Sequence, residues 1–101
     1  MKRIDRHQEC IDLLIERLQF HERYTEIYMN VEYNRNGIIG EVDVLTYNSK
    51  TGVWHFYEVK SSHIRRQRKK AQTQFDKYKQ AYPLRYVKGI FISPKKVYRL
   101  K

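Results

Sequence analysis

Two apolar stretches of the chain carry acids at alternate positions, and the second stretch ends on a lysine. Glu41 and Asp43 stand in the first, and Glu58 and Lys60 stand in the second. Carboxylates inside apolar segments are costly to bury without a cation. Asp and Glu oxygens suit Mg²⁺ or Mn²⁺, which keep several waters and take one or two carboxylates from a protein. The pattern therefore predicts a divalent-metal site, where a lysine can orient an attacking water or stabilise developing negative charge.

These acids can share one site only if the two stretches are neighbouring strands in the right register. Residues from Ile38 to Tyr47 and from Val53 to Lys60 are rich in β-forming side chains. The short polar loop between them contains Gly52, at which we expect a positive φ. We expect Asn48 to pair with Val53, as in a hairpin.

This register brings the chemically interesting side chains onto one face. Asp43 then lies opposite Glu58, and Glu41 lies opposite Lys60 in a supporting position. A slip of one residue would separate the two acids, so the register is itself a prediction. The competing interpretation is a solvated hairpin face with cross-strand ion pairs of little energetic weight. That interpretation suits Glu41 better than Asp43, whose face also carries apolar side chains.

The amino-terminal segment predicts a helix, from about Ile4 to Glu22, that can bring a further side chain to the site. Its apolar residues recur with a helical period, and His7 lies on the same face as Ile11. Glu9 lies about 160° around the helix from Ile11, on the far side. His7 is either a partly buried core histidine or a metal ligand.

The remaining elements complete an α/β domain with a mixed sheet flanked by helices, in the order α, β, β, β, α, β, β. Ser61-Ser62 offers a helix N-cap. The predicted first strand has four apolar side chains on one face, at Ile27, Met29, Val31 and Tyr33. With 101 residues, the chain is expected to form one domain over residues 1–101. The other elements are expected at Thr25 to Tyr33 (first strand), Ile64 to Ala81 (second helix), Arg85 to Ser93 and Val97 to Leu100 (last two strands).

The charge of the chain indicates a polyanionic partner. There are 21 basic and 11 acidic residues, for a formal net charge of +10. Self-repulsion of this size favours nucleic acid as the partner, and DNA is the expected one. Five bases within six residues strengthen the expectation, because they repel one another unless an anion is nearby. They are Arg65, Arg66, Arg68, Lys69 and Lys70.

Several other classes of protein are disfavoured. No apolar run approaches the roughly 20 residues of a membrane span, so no membrane partner is expected. The amino terminus lacks the apolar core of a secretory signal, and Cys10 is the single cysteine. We therefore expect a cytoplasmic protein without disulfides, and nothing in the sequence calls for an organic cofactor.

The core residues resemble a known family. Asp43 followed by Glu58-Val59-Lys60 is similar to the motif of the PD-(D/E)XK nuclease superfamily. The resemblance implies a restriction-endonuclease-like αβββαβ core that hydrolyses phosphodiesters with Mg²⁺ or Mn²⁺. It implies that Asp43, Glu58 and the carbonyl of Val59 bind metal, with Lys60 as the catalytic lysine. The first residue of the literal Pro-Asp pair is Val42 here.

Two further matches point to branches of the superfamily. Gln74 and Tyr78 stand in a Q-x-x-x-Y pattern similar to that of RecB- and Cas4-type nucleases, where it contributes to DNA binding. Those enzymes place a histidine ligand on the first helix, which implies His7. Small archaeal Holliday junction resolvases use a glutamate on that helix, which would implicate Glu9, although its helix face argues against it.

The sequence thus predicts a metal-dependent deoxyribonuclease that acts on single-stranded, branched or end-containing DNA without strict sequence specificity. One alternative is a Holliday junction resolvase that acts as a homodimer across two scissile phosphates. Another is a non-catalytic basic module that binds nucleic acid by charge and tyrosine stacking.

Overall fold

A computed structural model describes residues 6–20, 26–61, 65–93 and 96–101, without the side chains of residues 19 and 20. It shows an α+β fold in which two helices pack on a five-stranded mixed sheet. The predicted order of elements is confirmed. The predicted ends of the first helix, the start of the first strand, Ser62 of the proposed N-cap and Ile64 lie outside the described residues. The elements are α1 (Arg6–Phe20), β1 (Glu26–Arg35), β2 (Ile38–Asn48), β3 (Val53–Val59), α2 (Arg65–Ala81), β4 (Tyr86–Ile92) and β5 (Val97–Leu100).

Turn chemistry explains why β1, β2 and β3 follow one another as hairpins. Asn36 and Gly37 have φ values of 55° and 78°, and they connect the paired residues Arg35 and Ile38. Two central residues with positive φ match the right-handed twist of the flanking strands. Gly52 has a φ of 73°, as predicted, in the loop between β2 and β3.

The strands lie side by side in chain order, from β1 to β5. All neighbouring pairs are antiparallel except β3 and β4, which are parallel and are connected through α2. A parallel pair requires such a crossover, because a tight turn cannot join the ends of two parallel strands. In the described residues, neither helix is long and apolar enough to cross a membrane.

The predicted register of β2 and β3 is confirmed over the part of the hairpin nearest the loop. Asn48 pairs with Val53, and the pairing continues to Val44 and Tyr57. The pairings predicted between Asp43 and Glu58 and between Glu41 and Lys60 are wrong, because the ladder ends at Val44 and Tyr57. Glu41 is instead exposed opposite Glu32 of β1.

The single apolar face predicted for β1 is also wrong. Asn30 has a φ of 52°, and the ladder pairs Met29 with Val44 and Val31 with Val42, with no pair between them. This irregularity turns the strand. Ile27 packs with the core on the α1 side, whereas Val31 packs with the core on the α2 side.

Two apolar cores cover the opposite faces of the sheet. On β3, Phe56 contributes to the α2 core, while its neighbour Tyr57 contributes to the α1 core. This alternation is expected of a strand that is buried on both faces. Helix α1 buries Ile11, Leu14 and Leu18, and α2 buries Ala71, Phe75, Tyr78 and Ala81.

Gly89 on β4 shows how closely α2 packs on the sheet. A Cβ added at Gly89 would lie 2.6 Å from the ring of Phe75. We expect Gly89→Ala to lower the free energy of unfolding by about 1 to 3 kcal/mol through overpacking. Urea denaturation measures this loss. Phe75→Leu should relieve the clash, so the double variant should lose less than the sum of the single losses. Additive losses would show that the ring is not the obstacle.

Candidate functional site

A cleft of about 1140 Å³ opens where β1, β2 and β3 face the amino-terminal half of α2. The strands supply its acids, and the end of β3 and helix α2 supply its cations. Opposite charges on facing walls suit a ligand that combines a metal ion with a polyanion. Its charged lining includes Glu41, Asp43, Glu58, Lys60, Arg66, Lys69 and Lys70.

Asp43 is held at the point where β2 and β3 separate. Its side chain is buried, and its Oδ2 atom accepts a hydrogen bond of 2.8 Å from the backbone N–H of Val59. This bond satisfies a buried donor that lies beyond the end of the strand ladder. The carboxylate therefore has both a structural partner and a fixed position beside the last residues of β3.

The two roles of Asp43 can be separated by mutation. Asp43→Ala leaves the buried N–H of Val59 without an acceptor, which should cost about 1 to 3 kcal/mol of unfolding free energy. Asp43→Asn keeps an oxygen acceptor while it removes the negative charge, so we expect a much smaller loss. Thermal denaturation compares the two variants. Equal stabilities would show that the 2.8 Å bond contributes little.

Glu58 has a strongly perturbed acidity. Burial, and next the neighbouring charge of Asp43, raise the pKa of Glu58 from 4.5 to about 7. Lys60 opposes this rise through an ion pair in which Nζ lies 3.3 Å from Oε1. The lysine thus compensates only part of the cost of two nearby buried acids. A further cation at the site would favour the ionised form of Glu58.

Lys60 is positioned by the sheet rather than by a loop. Its backbone N–H donates a hydrogen bond of 2.9 Å to the carbonyl oxygen of Ile92, which continues the pairing of β3 with β4. Its side chain is partly exposed and lines the cleft. The ammonium group is therefore held beside Glu58 with access to a bound ligand.

His7 reaches the same place from α1. Its Nε2 atom lies 2.8 Å from the carbonyl oxygen of Val59 and 3.5 Å from Oδ2 of Asp43. Buried Ile11 lies one helical turn further along the same face, which fixes the direction of the histidine. In this arrangement Nε2–H donates to the carbonyl, whereas metal binding would need the proton on Nδ1. Glu9 is exposed on α1.

The oxygen donors here are of the type that Mg²⁺ and Mn²⁺ prefer. The His7 imidazole contacts both the Val59 carbonyl and the Asp43 carboxylate, and Glu58 is near enough for the charge of Asp43 to add to the effect of burial on its pKa. In the described part of the chain, no three His, Cys, Asp or Glu side chains are grouped so as to hold an ion. The Val59 carbonyl and water would therefore have to supply ligands.

The basic cluster at the start of α2 is divided between two surfaces. Arg66, Lys69 and Lys70 line the cleft, as does Gln74 one turn later. Arg68 instead stacks over the ring of Tyr98, with its Cζ atom 4.7 Å from the ring centroid. Arg65 is exposed. Helical geometry explains the division, because residues two apart on a helix point in different directions.

Tyr78 does not reach the cleft surface. Its side chain is only 1% exposed, and its hydroxyl accepts a 2.8 Å hydrogen bond from Arg85 Nη1. Its ring meets that of Tyr33 edge to face, with centroids 5.4 Å apart. Tyr33 itself lines the cleft. Tyr78 therefore supports the cleft from beneath, while Gln74 is the member of the Q-x-x-x-Y pair that faces it.

Six lining residues were missed by sequence reasoning, and two of them had a signal in the sequence. The six are Glu32, Tyr33, Asn34, Ile39, Gly40 and Thr73. Thr73 lies four residues after Lys69 on α2, so helical spacing could have placed it on the cleft side. Tyr33 pairs with Gly40 across the hairpin, and a Cβ at Gly40 would collide with the tyrosine ring. In the sequence, a glycine that falls opposite an aromatic residue in the hairpin was the signal that could have placed Tyr33 in the cleft.

No protein-family model matches this chain, and a search of curated protein sequences finds no match. The proposed function therefore rests on the residues of the site.

Proposed function

We propose that this chain is a metal-dependent deoxyribonuclease of PD-(D/E)XK type, which hydrolyses phosphodiester bonds with Mg²⁺ or Mn²⁺. We further propose that α1, the sheet and α2 correspond to the restriction-endonuclease-like αβββαβ core, with β5 as an addition. One observation supports this most strongly. His7, Asp43 and Val59, from three different elements, meet within 3.5 Å beside Glu58 and Lys60.

Each residue of the site has a role in this proposal. Asp43, Glu58, the Val59 carbonyl and His7 would hold the metal ion. When bound, the ion would polarise a phosphoryl oxygen and lower the pKa of a water. Lys60 lies 3.3 Å from Glu58, where its ammonium can hold the attacking water and stabilise the charge that develops on the phosphate.

The opposite wall of the cleft would hold the substrate. Arg66, Lys69 and Lys70 are placed to contact phosphate oxygens, and Gln74 can donate or accept a hydrogen bond. Phosphate contacts carry no sequence information. A substrate chosen by its shape or by its free strands is therefore favoured over a specific base sequence.

A cleavage assay tests the proposal directly. Labelled single-stranded, duplex, flap and four-way junction DNA, and matched RNA, are incubated with Mg²⁺, Mn²⁺ or EDTA. We expect metal-dependent cleavage of single-stranded, branched or end-containing DNA, and none in EDTA. Paired symmetric cuts confined to the four-way junction would identify the alternative of a homodimeric Holliday junction resolvase.

A second candidate function is a non-catalytic basic module that binds nucleic acid. The cationic wall formed by Arg66, Lys69 and Lys70 favours this candidate, because it can bind phosphates without a metal ion. It predicts that binding is unchanged by EDTA and that no metal supports cleavage of any of these substrates. The same assay therefore distinguishes the two candidates.

A further inference from the structure

A second basic groove, of about 390 Å³, lies on the other flank of α2, against β5. Four of its seven lining residues are cationic, and none of the seven is acidic. Like charges gathered in a groove repel one another unless an anion is bound between them. The four cations are Arg68, Lys69, Arg99 and Lys101.

The guanidinium of Arg68 is prepared for phosphate binding. Its Cζ atom lies over the ring of Tyr98, 4.7 Å from the centroid, and Lys96 Nζ lies 5.9 Å from the same ring. A guanidinium that contacts a ring through its flat face keeps its in-plane N–H groups available to a ligand. That fork matches two oxygens of a phosphate.

Hydrogen bonds join the two walls of the groove, which are α2 and the chain after β5. The side-chain amide of Gln72 on α2 accepts from the backbone N–H of Lys101 at 2.9 Å and donates to its carbonyl oxygen at 2.8 Å. This paired hydrogen bond holds the chain after β5 against the helix. The spacing of the cations in the groove is therefore set by the fold, which reduces the entropy lost when an anion binds.

Lys69 joins this groove to the cleft, because it lines both. The cations thus form a continuous track that leaves the cleft at Lys69 of α2. It passes to Arg68 on the same helix and to Arg99 and Lys101 on and after β5. A free phosphate ion could occupy only one position on such a track. A chain of phosphates could occupy all of it.

We infer that this groove is a second phosphate-binding subsite for nucleic acid, which takes the strand that extends beyond the cleft. The inference rests on the proposed nucleic-acid binding of the cleft. The substrate is accordingly an oligonucleotide long enough to cross α2, and short fragments bind through the cleft alone.

Binding of fluorescent single-stranded DNA in EDTA, at several salt concentrations, tests this subsite. The variant Arg99→Gln/Lys101→Gln removes two exposed charges from the groove. For an oligonucleotide of about 16 nucleotides, we expect the variant to have a higher Kd. The slope of log affinity against log salt concentration should fall in magnitude by about 1.4, or 0.7 for each lost phosphate contact. For one of about 4 nucleotides, which fills only the cleft, binding should equal that of the wild type. Lys50→Gln/Lys88→Gln removes two exposed charges elsewhere, one in the β2–β3 loop and one on β4, and is the charge-matched control.

The outcomes separate this inference from the proposed function. Equal losses in the groove variant and the control would overturn the subsite, because net charge alone would explain them. A second result would also overturn the subsite. Inorganic phosphate would stabilise the wild type but not the groove variant, and the loss of DNA binding in the variant would not depend on oligonucleotide length. The groove would then be a site for free anions.

Arg66→Gln/Lys70→Gln should weaken binding of both lengths. If it weakens neither, the cleft does not bind nucleic acid and the proposed function fails with it.

Discussion

Glu58→Gln is expected to abolish cleavage while it makes the protein more stable. The substitution removes a proposed metal ligand, so we expect cleavage to fall by more than about 100-fold, which exceeds the usual effect of altering a residue behind the ligands. It also removes the cost of ionising a buried acid beside Asp43. A pKa raised from 4.5 to about 7 corresponds to roughly 3 kcal/mol at most.

The gain in stability should depend on pH in a defined direction. The folded state binds the Glu58 proton more tightly than the unfolded state, so wild-type stability is lost as the pH rises from 4.5 through about 7. Glutamine does not titrate. The advantage of Glu58→Gln should therefore be small near pH 4.5 and largest above pH 7, where Tm should rise by roughly 10 °C.

Metal ions give a readout that does not require activity. Mg²⁺ or Mn²⁺ at about tenfold over its Kd should stabilise the wild type by about 1.4 kcal/mol and leave Glu58→Gln unchanged. The stabilisation should grow as the pH rises through about 7, because a proton on Glu58 competes with the ion. Calorimetry at pH 6 and pH 8 measures both effects. Equal stabilisation of the wild type and the variant would place the metal site elsewhere.

Lys60→Met is expected to separate catalysis from metal binding. Lys60 is not among the proposed metal donors, so stabilisation by Mg²⁺ should survive. Cleavage should fall by about 100-fold or more, because the charge that develops on the phosphate loses its stabilising ammonium. Without Lys60 the pKa of Glu58 should rise further, so metal binding should require a higher pH than in the wild type.

Lys79→Met provides a matched control for this variant. Lys79 also pairs with an acid, since its Nζ lies 3.3 Å from Oδ1 of Asp76, but neither residue lines the cleft. Lys79 Nζ also donates to the backbone oxygen of Lys101 at 3.0 Å, so the control uses an oligonucleotide short enough to fill only the cleft. Cleavage of that substrate should stay close to the wild-type rate, as exposed ion pairs contribute little. If Lys60→Met cleaves DNA at the rate of the control, the catalytic role assigned to Lys60 is wrong. Loss of metal binding in Lys60→Met at every pH, including pH 8, would make the lysine a support for Glu58 instead.

Short-range sequence patterns predicted the β2–β3 hairpin, which carries Asp43 and Glu58. The period of two along a strand and the glycine at positive φ were sufficient to set the pairing of Asn48 with Val53. They could not show that the ladder ends at Val44. That end depends on the side chain of Asp43 replacing a backbone acceptor for Val59, which is a contact between residues 16 apart.

The sequence by itself determined the order of elements and the hairpin register, from the pair Asn48 and Val53 to the pair Val44 and Tyr57, because these follow from short-range periodicity and turn chemistry. Only the tertiary structure decided that His7 touches the site, that Tyr78 lies beneath it and that the basic cluster divides between two grooves. The reason is physical. Each of these depends on how a helix is rotated and seated on the sheet, and the long-range packing of the two cores sets that rotation.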